Sequence, residues 1–148
     1  MKRLFIVLSI TIAVLMNAEA KQIQIIISND LIDSICKVES GNNPNAVGDN
    51  GKSVGIAQIQ KICVDDCNRI LKMRKQSKRF TYEDRKSVSK SKEMMKIYLE
   101  FYGRQYAKET GIAPTNKVLS RIWNGGPRGW KLDATYAYYQ KVRKYLMA

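Results

Sequence analysis

Between Gly41 and Gly55 lies a stretch that no helix can cross. It opens on Gly41-Asn42-Asn43-Pro44 and runs through Gly48 and Asp49-Asn50-Gly51. Proline removes a backbone donor, and Asn and Gly tolerate left-handed backbone, so this composition makes turns. The segment from Asn43 to Val54 has room for a small hairpin with Asp49-Asn50-Gly51 at its tip. Helical patterns stand on both sides of it. The expected class is therefore mainly α, with one small β-hairpin after the first helix.

That first helix is predicted from Leu31, Ile32, Ile35 and Val38, which recur at helical spacing behind the capping residues Ser28, Asn29 and Asp30. Glu39 falls in its last turn, beside the apolar face. Val54 to Ile62 is apolar again and is expected to lead into a second helix ending near Leu71. Lys72 to Arg79 is basic and reads as an exposed loop, and Thr81 to Asp84 resembles a capped helix start. Met94, Met95, Ile97, Tyr98, Phe101, Tyr102 and Tyr106 mark a long amphipathic helix that Gly111 ends. Asn116 to Trp123 is a shorter helix, broken by Asn124-Gly125-Gly126-Pro127, and Ala134 to Met147 is the last.

The first twenty residues have a different character. Lys2 and Arg3 precede an apolar run from Leu4 to Met16, and Ala18-Glu19-Ala20 places small residues where a signal peptidase reads. The run is short for a membrane span, so residues 1–20 are expected to be a cleaved signal, with an uncleaved anchor as the alternative. Residues 21–148 are then expected to form one domain, secreted or periplasmic after cleavage.

The whole chain carries +13, and the first twenty residues hold two basic side chains and one acidic, so +12 stays on the remainder. Such a charge implies an anionic partner. Export favours bacterial envelope polymers over nucleic acid, and no nucleic-acid partner is expected. Arg69 to Lys92 concentrates the charge, with ten basic and two acidic residues. It either forms a solvated face or holds the protein to anionic wall polymers.

The sequence contains no histidine. That excludes Ser-His-Asp and Cys-His catalysis and imidazole-ligated zinc, so acid–base work falls to carboxylates, Lys, Tyr or Cys. No metal and no cofactor are expected. Cys36, Cys63 and Cys67 are an odd number for an exported chain. Pairing of Cys36 with either of the others, and three unpaired thiols, both remain open.

Three short signatures follow one another at predicted element ends: Val38-Glu39-Ser40-Gly41, Gly55-Ile56-Ala57-Gln58-Ile59 and Trp123-Asn124-Gly125-Gly126. Singly each is common, but their order and placement are specific. Together they resemble the lysozyme-like superfamily, in two of its branches. One is the transglycosylase SLT domain, related to goose-type lysozymes, with its Glu-Ser pair, Gly-Leu-Met-Gln-type and Tyr-Asn-Ala-Gly-type motifs. The other is the invertebrate-type, or destabilase, lysozymes. To these the stretches Cys36 to Gly41, Asp49 to Gly55, Gln58-Ile59, Asp66-Cys67 and Asn124 to Pro127 are similar, as is Tyr139 to Val142.

The resemblance implies a lysozyme-like fold and a muramidase that cuts the β-1,4 bond between N-acetylmuramic acid and N-acetylglucosamine in peptidoglycan. Glu39 would be the general acid. Such an acid must stay protonated near neutral pH, which partial desolvation beside the Leu31/Ile35 face can achieve. Asp49 matches the assisting aspartate of the invertebrate-type branch, one residue closer to Gly55 than there; the other reading makes it a turn former. Substrate contacts are implied for Ser40, Ser53, Gln58, Trp123, Asn124, Gly125 and a late tyrosine, which is Tyr138 by the transglycosylase pattern, with Tyr139 the other reading.

The chain departs from both branches. Gly48 stands in place of serine, Ala57 of methionine, Trp123 of tyrosine and Ala134 of glutamate. The many cysteines of the invertebrate-type branch are mostly missing. Three alternatives stay open: a lytic transglycosylase that leaves 1,6-anhydromuramic ends, a non-catalytic wall-binding protein, and a basic membrane-active protein. The expected partners are peptidoglycan glycan strands and anionic wall polymers, met by a monomer.

Overall fold

The computed structural model describes residues 24–147. The expected signal segment, residues 1–20, lies outside the described residues. The fold is mainly helical, lysozyme-like, with a single two-stranded hairpin among the described residues. Helix α1 spans Asn29–Ser40, strands β1 and β2 are Val47–Gly48 and Ser53–Val54, and α2 is Lys61–Met73. Then come α3 at Val88–Thr110, α4 at Asn116–Gly125 and α5 at Ala134–Leu146.

Local chemistry sets both ends of α1. The Ser28 hydroxyl accepts a hydrogen bond from the Leu31 amide at 3.2 Å, satisfying one of the free donors of the first turn. Gly41 adopts φ +66°, a left-handed cap, and its amide and that of Asn42 donate back to Lys37 and Cys36. Leu31, Ile32, Ile35 and Cys36 are fully buried. They join Met94, Met95 and Leu99 of α3, Leu119 and Ile122 of α4 and Val142 of α5 in one core. Helix α5 packs on α1 and α4, while α2 packs on α3. The cysteines are unpaired. Cys36 meets the Met95 sulfur at 3.7 Å, and Cys67 donates to the Met94 carbonyl.

Several boundaries differ from the sequence reading, each for a visible reason. The apolar run after Val54 does not become helical until Lys61, because Gly55 (φ +82°) and Gln58 (φ +49°) turn the chain first. Thr81 does form a capping box with Asp84, but it caps only the short 3-10 turn Tyr82–Lys86. Ser87 then starts α3 at Val88, six residues before Met94. Helix α4 continues through Asn124 and Gly125 and stops at Gly126.

The hairpin pairs Val47 with Val54 and Gly48 with Ser53. Its seat is Arg85, a member of the basic run that the sequence placed at the surface. Arg85 is 7% exposed. Its guanidinium donates to the carbonyls of Lys52 and Ile59 at 3.2 Å and of Tyr82 at 2.7 Å, replacing its lost hydration with fixed acceptors. Much of the remaining run is neutralised within the molecule: Lys78 pairs with Glu93, Lys86 with Glu83, Lys90 with Asp84 and Lys92 with Asp33. These are exposed pairs that contribute little to stability.

Candidate active site

A cleft of about 480 Å³ opens between the C-terminal end of α1, the hairpin, the start of α2 and the end of α4. Glu39, Asp49, Ser53, Gln58, Trp123 and Asn124 all line it. Six of the nine residues that the resemblance implied are thus brought together from segments far apart in sequence.

Glu39 stands in the last turn of α1, partly buried. Its Oε1 accepts two hydrogen bonds, from the Tyr138 hydroxyl at 2.6 Å and from the Trp123 indole N–H at 3.1 Å. Tyr98 meets the Trp123 ring edge-on at 5.8 Å and holds the indole in place. Both donors use one oxygen. Oε2 has no protein donor among the described residues, and it is not a buried orphan, so solvent or substrate can reach it. Burial raises the Glu39 pKa above its ordinary value. The two hydrogen bonds oppose this by favouring the carboxylate, and the like charge of Asp49 adds to the rise.

Asp49 sits at the tip of the hairpin, exposed, with φ +50°. Asn50 and Gly51 continue the left-handed backbone at +54° and +88°. A non-glycine residue held there stores strain of the order of 1 kcal/mol. Its carboxylate accepts from the Ser53 hydroxyl at 2.5 Å and from the Gln60 amide at 3.4 Å. Asp49 thus makes the turn with its backbone and faces the cleft with its side chain.

Gln58 lines the cleft, but its amide nitrogen is engaged in the loop. It donates to the carbonyls of Ala46 at 3.2 Å and Gly55 at 3.0 Å. This also accounts for Gly48: a Cβ there would lie 2.4 Å from the Gln58 amide oxygen. The departure from serine at position 48 makes room for the Gln58 side chain.

Three implied contacts are placed elsewhere. Ser40 is next to Glu39 in sequence, yet one residue of helix turns its side chain about 100° away. Its hydroxyl donates to the Ile56 carbonyl at 2.7 Å and ties α1 to the loop after the hairpin. Gly125 packs against α5, where a Cβ would meet Thr135 at 2.6 Å, and Gly126 lines the cleft instead. Tyr138 reaches Glu39 from α5 and is absent from the cleft lining, which makes it a positioning residue for the carboxyl. The sequence reading missed Ile59, Gln60, Ile62, Cys63 and Tyr98 as lining residues. No motif marks Gln60, which the turns at Gly55 and Gln58 fold back onto Ser53 and Asp49, and none marks Tyr98, which the packing of α3 on α4 brings there.

The Tyr138–Glu39 bond gives a specific expectation. Tyr138→Phe removes a donor that favours the carboxylate, so the Glu39 pKa moves further up. Any activity that needs Glu39 protonated should keep its rate to higher pH, while its maximum falls about tenfold because the carboxyl is less well held. A pH–rate profile reads both changes. An unmoved alkaline limb would show that the bond does not tune the acid.

No protein-family model matches the sequence. Comparison with curated proteins finds a lysozyme of Meretrix lusoria, 31% identical over 121 residues, covering 80% of this chain and 90% of the relative. Comparison with solved structures finds a chain in the crystal structure of Aeromonas hydrophila PliI in complex with Meretrix lusoria lysozyme. It is 30% identical, covers 82% of this chain and 93% of that one, and superposes with a TM-score of 0.56.

Proposed function

The chain belongs to the lysozyme family, and from that premise we propose that it is a peptidoglycan muramidase acting outside the cell. The observation that carries the proposal is Glu39: a carboxyl with a raised pKa, held by one oxygen, with the other reachable from a cleft lined by amide and hydroxyl side chains. Glycoside cleavage needs a proton on the leaving oxygen as positive charge develops on the sugar ring. Glu39 delivers that proton from Oε2. Tyr138 and Trp123, already bonded to Oε1, then stabilise the carboxylate that remains.

Asp49 brings the second carboxylate, from the hairpin wall. Ser53 and Gln60 fix its orientation. In hydrolysis it supports the oxocarbenium-like sugar from the face opposite the acid, as nucleophile or as electrostatic partner. Ser53, Asn124 and the wall formed by Trp123 are proposed to contact sugar hydroxyls and N-acetyl groups. Gln58 contributes by shaping the loop.

The alternative outcome is transglycosylation, in which the C6 hydroxyl closes a 1,6-anhydro ring. The relative's name, lysozyme, and a cleft-facing Asp49 favour hydrolysis. Mass spectrometry of digested, purified peptidoglycan tests this directly. Reducing N-acetylmuramic ends are expected, and 1,6-anhydro ends would assign the transglycosylase reaction instead.

A further inference from the structure

A further pocket, of about 360 Å³, adjoins the cleft through Gln60 and Ile62, which line both. Asp49 faces the cleft from the hairpin tip, while Lys52, at the end of the same turn, lines the pocket. Lys61, the first residue of α2, and Arg85, from the 3-10 turn Tyr82–Lys86, complete a set of three cations around it. No carboxylate is among its lining residues. Asp49 is held by Ser53 and Gln60, and Asp65 takes the Tyr82 hydroxyl.

These three charges differ from the rest of the basic surface around them. Lys78, Lys86, Lys90 and Lys92 each have a carboxylate partner. Lys52 and Lys61 are exposed and form no ion pair among the described residues. The Lys61 ammonium lies 5.0 Å from the centre of the Tyr82 ring, which orients it without cancelling its charge. Arg85 is 7% exposed, and only neutral carbonyls accept from its Nε and Nη1. Its Nη2 has no acceptor among the described residues, yet it is not sealed from solvent. One corner of a buried guanidinium is thus left free in a pocket that Lys52 and Lys61 also line. Like charges gathered in this way repel one another, and an anion between them relieves the cost.

The donors also select the anion. A carboxylate is best met by two parallel N–H groups of an arginine fork, and here Arg85 has a single nitrogen to offer. Two compact ammonium groups and one guanidinium corner, from three separate segments, suit a tetrahedral oxyanion instead. The start of α2 adds to this. Gln60 makes no capping bond there, no acidic side chain sits in the first turn, and Lys61 and Ile62 line the pocket.

We propose that this pocket binds a phosphate ester carried on the glycan strand, with its oxygens on Lys52, Lys61 and the Nη2 of Arg85. The inference rests on the muramidase reading, which lays a sugar of the strand beside Gln60 and Ile62. It makes the chain selective for phosphate-substituted strands over unsubstituted ones.

Equilibrium binding separates this proposal from catalysis. The probes are the N-acetylglucosaminyl–N-acetylmuramic acid disaccharide, the same disaccharide with a phosphate on the C6 hydroxyl of its muramic residue, and inorganic phosphate, each titrated into the full chain. The phosphate group is expected to tighten disaccharide binding about tenfold, through charged contacts that are partly screened. In the double variant Lys52→Gln/Lys61→Gln that advantage should fall below about twofold. Lys141→Gln/Lys144→Gln removes the same charge from α5 and should keep the advantage whole. Equal affinity for the two disaccharides, an advantage that survives in Lys52→Gln/Lys61→Gln, or an equal loss in the α5 variant overturns the proposal. Inorganic phosphate that binds as tightly as the phosphorylated disaccharide overturns it too, and assigns the pocket to the free anion. Cleavage of purified peptidoglycan, measured in parallel, reports on the muramidase reading alone. A chain that favours the phosphorylated probe but cuts nothing would retain the pocket's assignment and lose the enzymatic one.

Discussion

Glu39→Gln should lower the rate of peptidoglycan cleavage by about a thousandfold while leaving the protein at least as stable at neutral pH. The loss of rate follows from chemistry: an amide has no proton to give to the glycosidic oxygen. The gain in stability follows from linkage. The folded pKa of Glu39 lies above its ordinary value of 4.5, so the folded state binds the proton more tightly than the unfolded chain. Its contribution to stability is complete below pH 4.5 and is lost as pH rises through the folded pKa. At higher pH the unfolded chain ionises this group freely, whereas the fold holds it in a partly desolvated place, so ionisation of Glu39 opposes folding. Gln carries no charge, and its carbonyl can still accept from Tyr138 and Trp123. Thermal unfolding of the two proteins should show the variant equal or higher at pH 7, with the difference closing below about pH 4. A variant markedly less stable at pH 7 would mean that Glu39 is a structural anchor and not a poised acid.

Gly55→Ala should be the most damaging single-methyl change in the region of the site. Gly55 has φ +82°, where an L side chain costs about 1–2 kcal/mol. A Cβ there would also lie 1.9 Å from the Arg85 carbonyl oxygen. That oxygen cannot move aside freely, because it accepts the buried Ser91 hydroxyl while the Arg85 guanidinium clasps Lys52 and Ile59. The combined cost is expected near 3–5 kcal/mol, a large part of the stability of a domain this size. The unfolding midpoint should drop by about 10–20 °C. Activity should fall with it, since β2 carries Ser53 and orients Asp49. Gly51→Ala is the control: φ is +88° but nothing lies within 4 Å, so it should cost only about 1–2 kcal/mol. Equal melting of the two variants would show that the Arg85 contact does not seat the hairpin.

What could be read from the residues depended on the range of the interaction involved. The end of α1, the hairpin tip and the terminus of α3 are fixed by neighbours in sequence: Gly41 in a left-handed cap, Asp49-Asn50-Gly51 in a turn, Gly111 after Thr110. These were legible, and with them the position of Glu39 beside the core. Arg85 was not. Its burial depends on carbonyls of the hairpin turn and of the loop after it, 33 and 26 residues earlier, while its neighbours in sequence are charged. Ser40 and Gly125 show a related limit. A motif marks a place in the chain, but helical rotation decides which of two adjacent residues faces the cleft. Tyr138 was found from its motif, but its approach to Glu39 from α5 comes only from the packing of α5 on α1. Cys63, which faces the cleft, and Cys67, which is buried, differ for the same reason.

A muramidase must make new glycan ends, and Glu39 as its acid must be needed to make them. Purified peptidoglycan should be incubated with the chain and with Glu39→Gln at equal concentration, and the new ends counted by mass spectrometry. New N-acetylmuramic ends that accumulate with the unaltered chain and stay at background with the variant are the predicted result. No new ends from the unaltered chain, or equal numbers from both, would contradict it.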